Sequence, residues 1–439
     1  MFRKNALWQF LASVKLALVT IFFIAATSII GTIIPQKQEL AWYSRKFGEQ
    51  TAHFFQLLNL TDMYSSWWFI SLLVLLGINL VICSLDRFPA TWKQITADGT
   101  LFKKGRLSKM PFTASWKSDA PVDTIIKACE EQLKKQGWTF QIKRSAQTTL
   151  IFSQKNAWSR TGVYIVHLSI LVVFLGGIIG AVFGFKGSIL IPEIMERDGI
   201  VIHDEKRIHK LGFTVRCNFF TIDFHANGMP REYTSELTVI EDGKEVVTRE
   251  IEVNKPLTYK GITFYQSSYR PYQKDFVIII KNNKTGARKV FISPFQKKIS
   301  WPEEKIACGI INAEAINQSI VRTKIWFKQE DQNSSAQWSK DNSPVLFQTA
   351  NASYTITAKQ RYATGLQVAK DPGVWWVYLG FGLMLFGLYV SFFLSHKRIW
   401  LLVSKNDERN TIQLFGTANK NQPGFEKVFN RLVETIQSD

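Results

Sequence analysis

Between Arg160 and Lys186 the chain runs TGVYIVHLSILVVFLGGIIGAVFGF, 25 residues without a charged side chain. As a helix rising about 1.5 Å per residue, this run reaches roughly 37 Å, more than the ~30 Å hydrocarbon core of a bilayer. It reads as a membrane span with room to tilt. Its one ionisable group is His167, and a titratable ring at that depth is costly without a partner, which makes it a functional candidate. At about 100° per residue, Gly176, Gly180 and Gly184 form a small-xxx-small ridge suited to close approach by another helix. His167 lies nearly opposite, on a face with Tyr164, Leu171, Phe174 and Ile178. One face is expected to pack the bundle and the other to present an imidazole.

Three further runs, Leu16–Ile34, Trp67–Leu85 and Gly373–Leu394, have spanning length and carry no Asp, Glu, Lys or Arg. The expected fold class is therefore an integral membrane α-helical protein with four transmembrane helices, a large extracytoplasmic mainly-β domain and small cytoplasmic α+β segments. A formal charge of +19 over 439 residues would suit nucleic acid, but the basic residues crowd beside the spans. Positive-inside topology and anionic lipid account for them, and no nucleic-acid partner is expected.

Charge sets the order of segments. Residues 1–35 carry Arg3, Lys4 and Lys15 before the first span, which marks that end cytoplasmic; GTIIPQ lacks a small-x-small cleavage site, so the span reads as uncleaved. Residues 36–66 form an outer connection that includes His53, and 67–85 the second span, opened by Trp67 and Trp68. Residues 86–160 read as a cytoplasmic α+β lobe, with 14 Lys plus Arg against six acids over 86–161, a helix across PVDTIIKACEEQLKKQGW and two strands after it. The third span is 161–185. Residues 186–372 alternate in β fashion, with a type I′ hairpin signal at Asp242-Gly243 and a second turn at 283–286, and fit one or two antiparallel β domains outside. The fourth span covers 373–395, and 396–439 is a cytoplasmic tail with Trp400 as an inner anchor, a strand TIQLFGTA and a helix PGFEKVFNRLVETIQ. Both termini are thus expected in the cytoplasm.

From the residues alone, His167 has three accounts: a hydrogen-bonder to a neighbouring helix, a proton relay, or an axial ligand to a metal centre. The relay is the weakest, because the spans supply no other acids or bases. His396, beside Lys397 and Arg398, reads first as a headgroup-level residue and second as a cofactor-binding candidate. His203, His209 and His225 read as surface or core histidines. Cys83, Cys129, Cys217 and Cys308 show no C-x-x-C spacing, and whether Cys217 pairs with Cys308 is left open. The run FYQSSYR at 264–270 reads as a strand face, with a binding surface as the alternative. No Ser-His-Asp set, phosphate loop or paired intramembrane carboxylates occurs, so a self-sufficient enzyme is not expected.

Six motifs in order add a resemblance: GTIIPQ closing the first span, DMYSSWWF opening the second, CSLDRFP closing it, RTGVYIVHLSI in the third, VNKPLTYKGITFYQSSY in the outer domain, and DPGVWWVYLGFGLMLFGLYVSFFLSHKRIW at the fourth. With this layout the chain resembles the ResB family of cytochrome c biogenesis proteins (system II) over nearly its whole length. The resemblance implies a subunit of a haem lyase, or cytochrome c synthetase, that works with a ResC/CcsA-type membrane partner. Such a complex exports haem b and joins it to apocytochrome c through thioethers, with a thioredoxin-like thiol reductant as an optional further partner. It implies a multi-pass protein of the bacterial inner membrane, a thylakoid membrane being the alternative. It also implies that His167, in GVYIVHLSI, is the haem axial ligand. Neither the tryptophan-rich haem-presenting segment of that system nor a fused second half follows, so the chain is expected to be the ResB-type half, incompetent alone. The rival expectation is a membrane scaffold or signalling protein with an outer sensor domain and no haem.

Overall fold

A computed structural model describes residues 5–438 apart from 102–103, 203–206, 225–229, 317–318, 331 and 406–408. His203 and His225 lie outside the described residues. The chain divides into two units, Met1–Gly177 with Val374–Asp439, and Ile178–Gly373.

Among the described residues four helices are long and apolar enough to cross a membrane: Val14–Ile33, Trp67–Thr96, Ala157–Phe183 (α-helical over Gly162–Phe183) and Val374–Phe393. Side chains such as Phe22 (67% exposed) and Phe393 (76%) find no protein to cover them. Helices so apolar and so uncovered are compatible with lipid around them. Serines start two of them: Ser13 Oγ accepts from Lys15 N at 3.2 Å and Ser66 Oγ from Phe69 N at 3.3 Å, each satisfying a backbone donor that the first turn leaves free. A short helix, Ala6–Leu11, precedes Val14–Ile33, and the break between them is held by the buried Asn79 of the second apolar helix. Its Nδ2 donates to Leu11 O at 2.6 Å and Ser13 O at 3.1 Å. The helix opened by Trp67 runs past Asp86 and Pro89 to Thr96. Beyond the apolar run, Phe88 stacks on Trp92 at 5.7 Å and sustains the last turns.

The same unit holds a five-stranded antiparallel sheet in the order 112–118, 410–418, 397–404, 148–155, 139–144. Residues after the fourth apolar helix therefore complete a sheet begun before the third. The strand Lys397–Ser404 alternates across its two faces. Ile399, Leu401 and Val403 meet helices Val122–Lys135 and Gln422–Ser438, through Ile126, Cys129, Phe425 and Phe429. Trp400 and Leu402 meet Leu107, Phe152 and Phe415 on the other face. Trp400, expected as a membrane anchor, is 1% exposed and donates from Nε1 to Gly99 O at 2.9 Å. A strand apolar on both faces and following a span directly looks like the end of that span.

The second unit is mainly β among the described residues: a ten-stranded sheet and a four-stranded one. Two long strands, Ile262–Asn282 and Ser353–Lys370, pair along their length and shift register between Gln266/Ser268 and Tyr272/Phe276. Such bulges bend a strand. One stretch of each strand enters a core with Ile191, Val215 and Leu237, through Phe264, Leu366 and Val368. The other stretch enters a second core with Ile310, Ile325 and Phe327, through Ile278 and Ile356. The Asp242-Gly243 hairpin has both φ values positive, 50° and 74°, as a type I′ turn requires. Within 264–270, Phe264 and Gln266 point inward, Gln266 Oε1 accepting from Ser235 Oγ at 2.7 Å and Thr364 Oγ1 at 2.9 Å, while Tyr265 is exposed. All four cysteines are free and buried. Cys217 belongs to the first core and Cys308 to the second, and burial pushes the thiols of Cys129 and Cys308 up to about 12. Neutral buried thiols of this kind are unreactive.

Candidate functional site

The second and third apolar helices meet along a seam with seven-residue spacing on the second. A Cβ at Gly77 would sit 3.8 Å from Phe174 and 3.9 Å from Leu171. Ser84 Oγ lies 2.8 Å from His167 Nδ1, and Thr91 Oγ1 lies 2.8 Å from the Tyr164 hydroxyl. A repeat of seven keeps one face of a helix against its neighbour. Phe88 meets Tyr164 edge-on at 5.1 Å, and Tyr164 in turn lies 6.4 Å from the His167 ring. The face carrying His167 is thus a packing face as well as the one that presents the imidazole.

Ser84 also donates to Leu80 O at 2.6 Å. Two oxygens that close need a proton between them, and a serine has only one to give. Ser84 Oγ is therefore an acceptor toward the ring, so His167 carries its proton on Nδ1 and keeps a lone pair on Nε2. No described residue hydrogen-bonds to Nε2 of the half-buried ring. Among the described residues no group of three or more His, Cys, Asp or Glu could hold a bare metal ion. The donor set offers one neutral imidazole nitrogen in an aromatic, apolar setting, which fits one axial position of a haem.

On the same helix, Arg87 follows Ser84 by one turn. With Lys15, Trp8, Ser13 and Asp86 it lines a cleft of about 540 Å³. Trp8 Nε1 donates to Asp86 Oδ1 at 3.3 Å.

The glycine ridge of the third helix is divided. Gly176 is buried, whereas a Cβ at Gly180 would lie 2.7 Å from Asp371 Oδ1 and one at Gly184 would lie 2.7 Å from Lys370 O. Those two glycines admit the segment leading into the fourth helix. Close helix-to-helix approach falls to Gly162 at the start of the third helix, where a Cβ would lie 2.9 Å from Ser391 N, and to glycines of the fourth: a Cβ at Gly380 would lie 3.0 Å from Ser169 O, and one at Gly387 would lie 3.0 Å from Val166 N. Backbone atoms cannot swing aside as side-chain tips do. Gly387→Leu is expected to destabilise the helix pair by about 1–3 kcal/mol, as overpacking does. Gly382→Leu is the control, since a Cβ there meets nothing within 4 Å. Thermal unfolding of the two variants in detergent measures the difference.

His396 is 1% exposed, and both its ring nitrogens are engaged. Arg160 Nε donates to Nδ1 at 2.8 Å, which leaves the proton on Nε2, 3.1 Å from Gln154 Oε1. No lone pair remains for iron while these bonds stand. The ring instead ties the strand Thr148–Lys155 to the turn that starts the third helix. Burial, then Arg160 and Arg398, push it down to about 4. The unfolded chain takes up that proton near 6.5, so His396 contributes stability above that pH that is lost as pH falls from about 6.5 toward 4. Thermal midpoints across that window should fall in the wild type and fall less in His396→Gln. His53 and His209 are exposed, with His209 against Phe185 at 4.7 Å between ring centroids.

Sequence reasoning isolated His167 but missed Ser84, and the seven-residue spacing of Gly77, Ser84 and Thr91 is the signal that could have found it. With this geometry in place, comparison with known proteins gives consistent matches. The sequence profile described as ResB-like family matches residues 14–320 and 304–430. The cytochrome c biogenesis protein CcsB of a Synechococcus strain is 29% identical over 98% of this chain and 92% of its own length. The cytochrome c biogenesis protein Ccs1 of Porphyra purpurea is 25% identical over 97% and 95%. Among solved structures, the cytochrome c haem lyase CcmF aligns with 79% of this chain at 9% identity and a TM-score of 0.21. The alignment takes in 51% of that lyase, and so low a score carries no argument.

Proposed function

The chain belongs to the ResB-like family, and from that premise we propose that it is a subunit of a membrane cytochrome c synthetase, binding haem b and supporting its attachment to apocytochrome c. The observation that carries the haem step is the His167 ring, held at Nδ1 and open at Nε2, in a helix with no Asp, Glu, Lys or Arg. Nε2 would supply one axial nitrogen. Tyr164 lies beside the ring with Phe88 against it, and Arg87, one turn on from Ser84, lines with Lys15 a cleft whose cations are of the kind that take carboxylates. Haem itself supplies the iron and the vinyl groups that apocytochrome thiols meet. Among the described residues no second imidazole faces His167, so the other axial position falls to a ResC/CcsA-type partner.

Charge supports the orientation. The basic segment 86–160 and the sheet it shares with 397–418 lie in the cytoplasm, as do both termini, and the β unit lies outside. His167 then sits roughly 10 Å into the helix from its cytoplasmic end, at the inner-leaflet depth of a site loaded from inside. The outer β unit serves as the docking surface for apocytochrome or partner. A thioredoxin-like reductant would keep the apocytochrome thiols reduced.

The test is an absorption spectrum of the complex purified in detergent with its ResC-type partner, alongside haem-stained c-type cytochromes in a deletion strain. A Soret band and absent c-type cytochromes are expected. A colourless, folded complex with normal cytochromes after deletion would leave the scaffold or signalling reading instead.

A further inference from the structure

Ser84 has no part in the sequence reading and no role in the reaction so far described. We infer that Ser84 is the positioning residue that locks His167 in its Nδ1–H tautomer, so that Nε2 always meets haem as a lone pair. The inference rests on the ligand role proposed for His167 and adds the group that prepares it.

The Ser84 hydroxyl proton is committed to Leu80 O at 2.6 Å, a back-bond within the helix, and the 2.8 Å contact to Nδ1 is left for the ring proton. A histidine free to take either tautomer would offer Nε2–H for part of the time, and a protonated nitrogen binds no metal. Ligating histidines commonly give their second N–H to an acceptor, which fixes the ring plane and raises the basicity of the ligating nitrogen. Here the acceptor is a hydroxyl on the neighbouring helix, made a better acceptor by its own donation to Leu80. The Thr91–Tyr164 bond two turns on holds the two helices at the spacing this needs, and Gly77, with no side chain of its own, leaves room for Leu171 and Phe174. A serine serving only as glue between helices would satisfy the ring with either tautomer. A serine whose proton is already spent allows one.

The test uses the full chain purified with its partner in detergent, labelled with ¹⁵N-histidine, with His167 assigned through His167→Gln. Ring-nitrogen correlations in the haem-free complex are expected to show Nδ1–H alone in the wild type and in Ser84→Thr, which keeps the hydroxyl. Ser84→Ala should release the Nε2–H form. In a ferric haem titration of the same proteins, Ser84→Ala should bind about 10- to 100-fold more weakly, the usual effect of losing such a partner. The reduction potential of its bound haem should rise, and Ser84→Thr should restore both. An Nε2–H tautomer in the wild type, or unchanged tautomer, affinity and potential in Ser84→Ala, would overturn the role given to Ser84. If the wild type shows the Nδ1–H form and takes up no haem, the ligand reading of His167 fails by itself. Thermal unfolding of each variant separates a folding defect from a change at the ring.

Discussion

Replacing His167 by alanine in the complex purified with its partner is expected to remove the Soret band and to stop cytochrome c maturation, with bound haem falling by more than about tenfold. The expectation follows from how little else is available. In the third apolar helix His167 is the one side chain that offers an imidazole nitrogen, and His396, the other candidate read from the sequence, has both nitrogens engaged by Arg160 and Gln154. Alanine leaves a gap opposite Ser84 that free imidazole can enter, so imidazole in the medium should return part of the band and part of the maturation. His396→Gln should keep the haem, because its ring ties a strand to a helix start. The measurement is the absorption spectrum of wild type, His167→Ala and His396→Gln, each with and without imidazole. Normal maturation in His167→Ala without imidazole would end the ligand reading. Haem loss in His396→Gln in a folded complex would mean that the second histidine leaves its partners to bind iron.

What the sequence discloses follows from how each feature is encoded. The four apolar helices are legible because length without charge is a one-dimensional signal, and His167 is legible because one polar ring stands out in 25 uncharged residues. Ser84 is not, since a serine back-bonded to the turn before it is ordinary in apolar helices and its partner is 83 residues away. The glycine pattern is visible on the third helix, yet pattern alone cannot say what approaches it. Gly180 and Gly184 meet residues 370–371, and the tight helix crossing is made from Gly162, Gly380 and Gly387. The five-stranded sheet is split by the third and fourth apolar helices, with the β unit between them, so no local signal could join 148–155 to 397–404. In the β unit, period-two alternation and the Asp242-Gly243 turn announce strands and one hairpin. The pairing of 262–282 with 353–370, on which both cores depend, spans too much chain to be read locally.

The largest stability effect outside the helices is expected at Glu193, a residue with no sequence signal at all. It is 1% exposed, and its carboxylate accepts from Phe220 N at 2.7 Å, from Tyr362 N at 3.1 Å and from the ammonium of Lys359, itself only 7% exposed. Its main-chain oxygen accepts from Arg361 Nε at 3.2 Å and from the second terminal nitrogen at 2.9 Å, while the first terminal nitrogen pairs with Asp275 at 3.2 Å. The next residue, Ile194, is β-branched and holds φ at 65°, a conformation that persists only where neighbours enforce it. Lys359 and Arg361 lie between Ala358 in one core and Tyr362 in the other, so this network sits where the two cores share a strand. Glu193→Ala strands a buried ammonium and two main-chain donors and should cost about 3–5 kcal/mol, the usual result of removing one partner of a buried ion pair. Glu193→Ala with Lys359→Met removes the stranded charge and should recover much of that loss, because an apolar replacement of both partners is often neutral. Thermal unfolding of the full chain in detergent, with hydrogen exchange followed in strands 208–224 and 353–370, reports both variants. If Glu193→Ala alone leaves those strands protected, the network is not what joins the cores. If the double variant is no better than the single one, the loss lies in the main-chain bonds and the turn at Ile194, and the ion pair contributes little of its own.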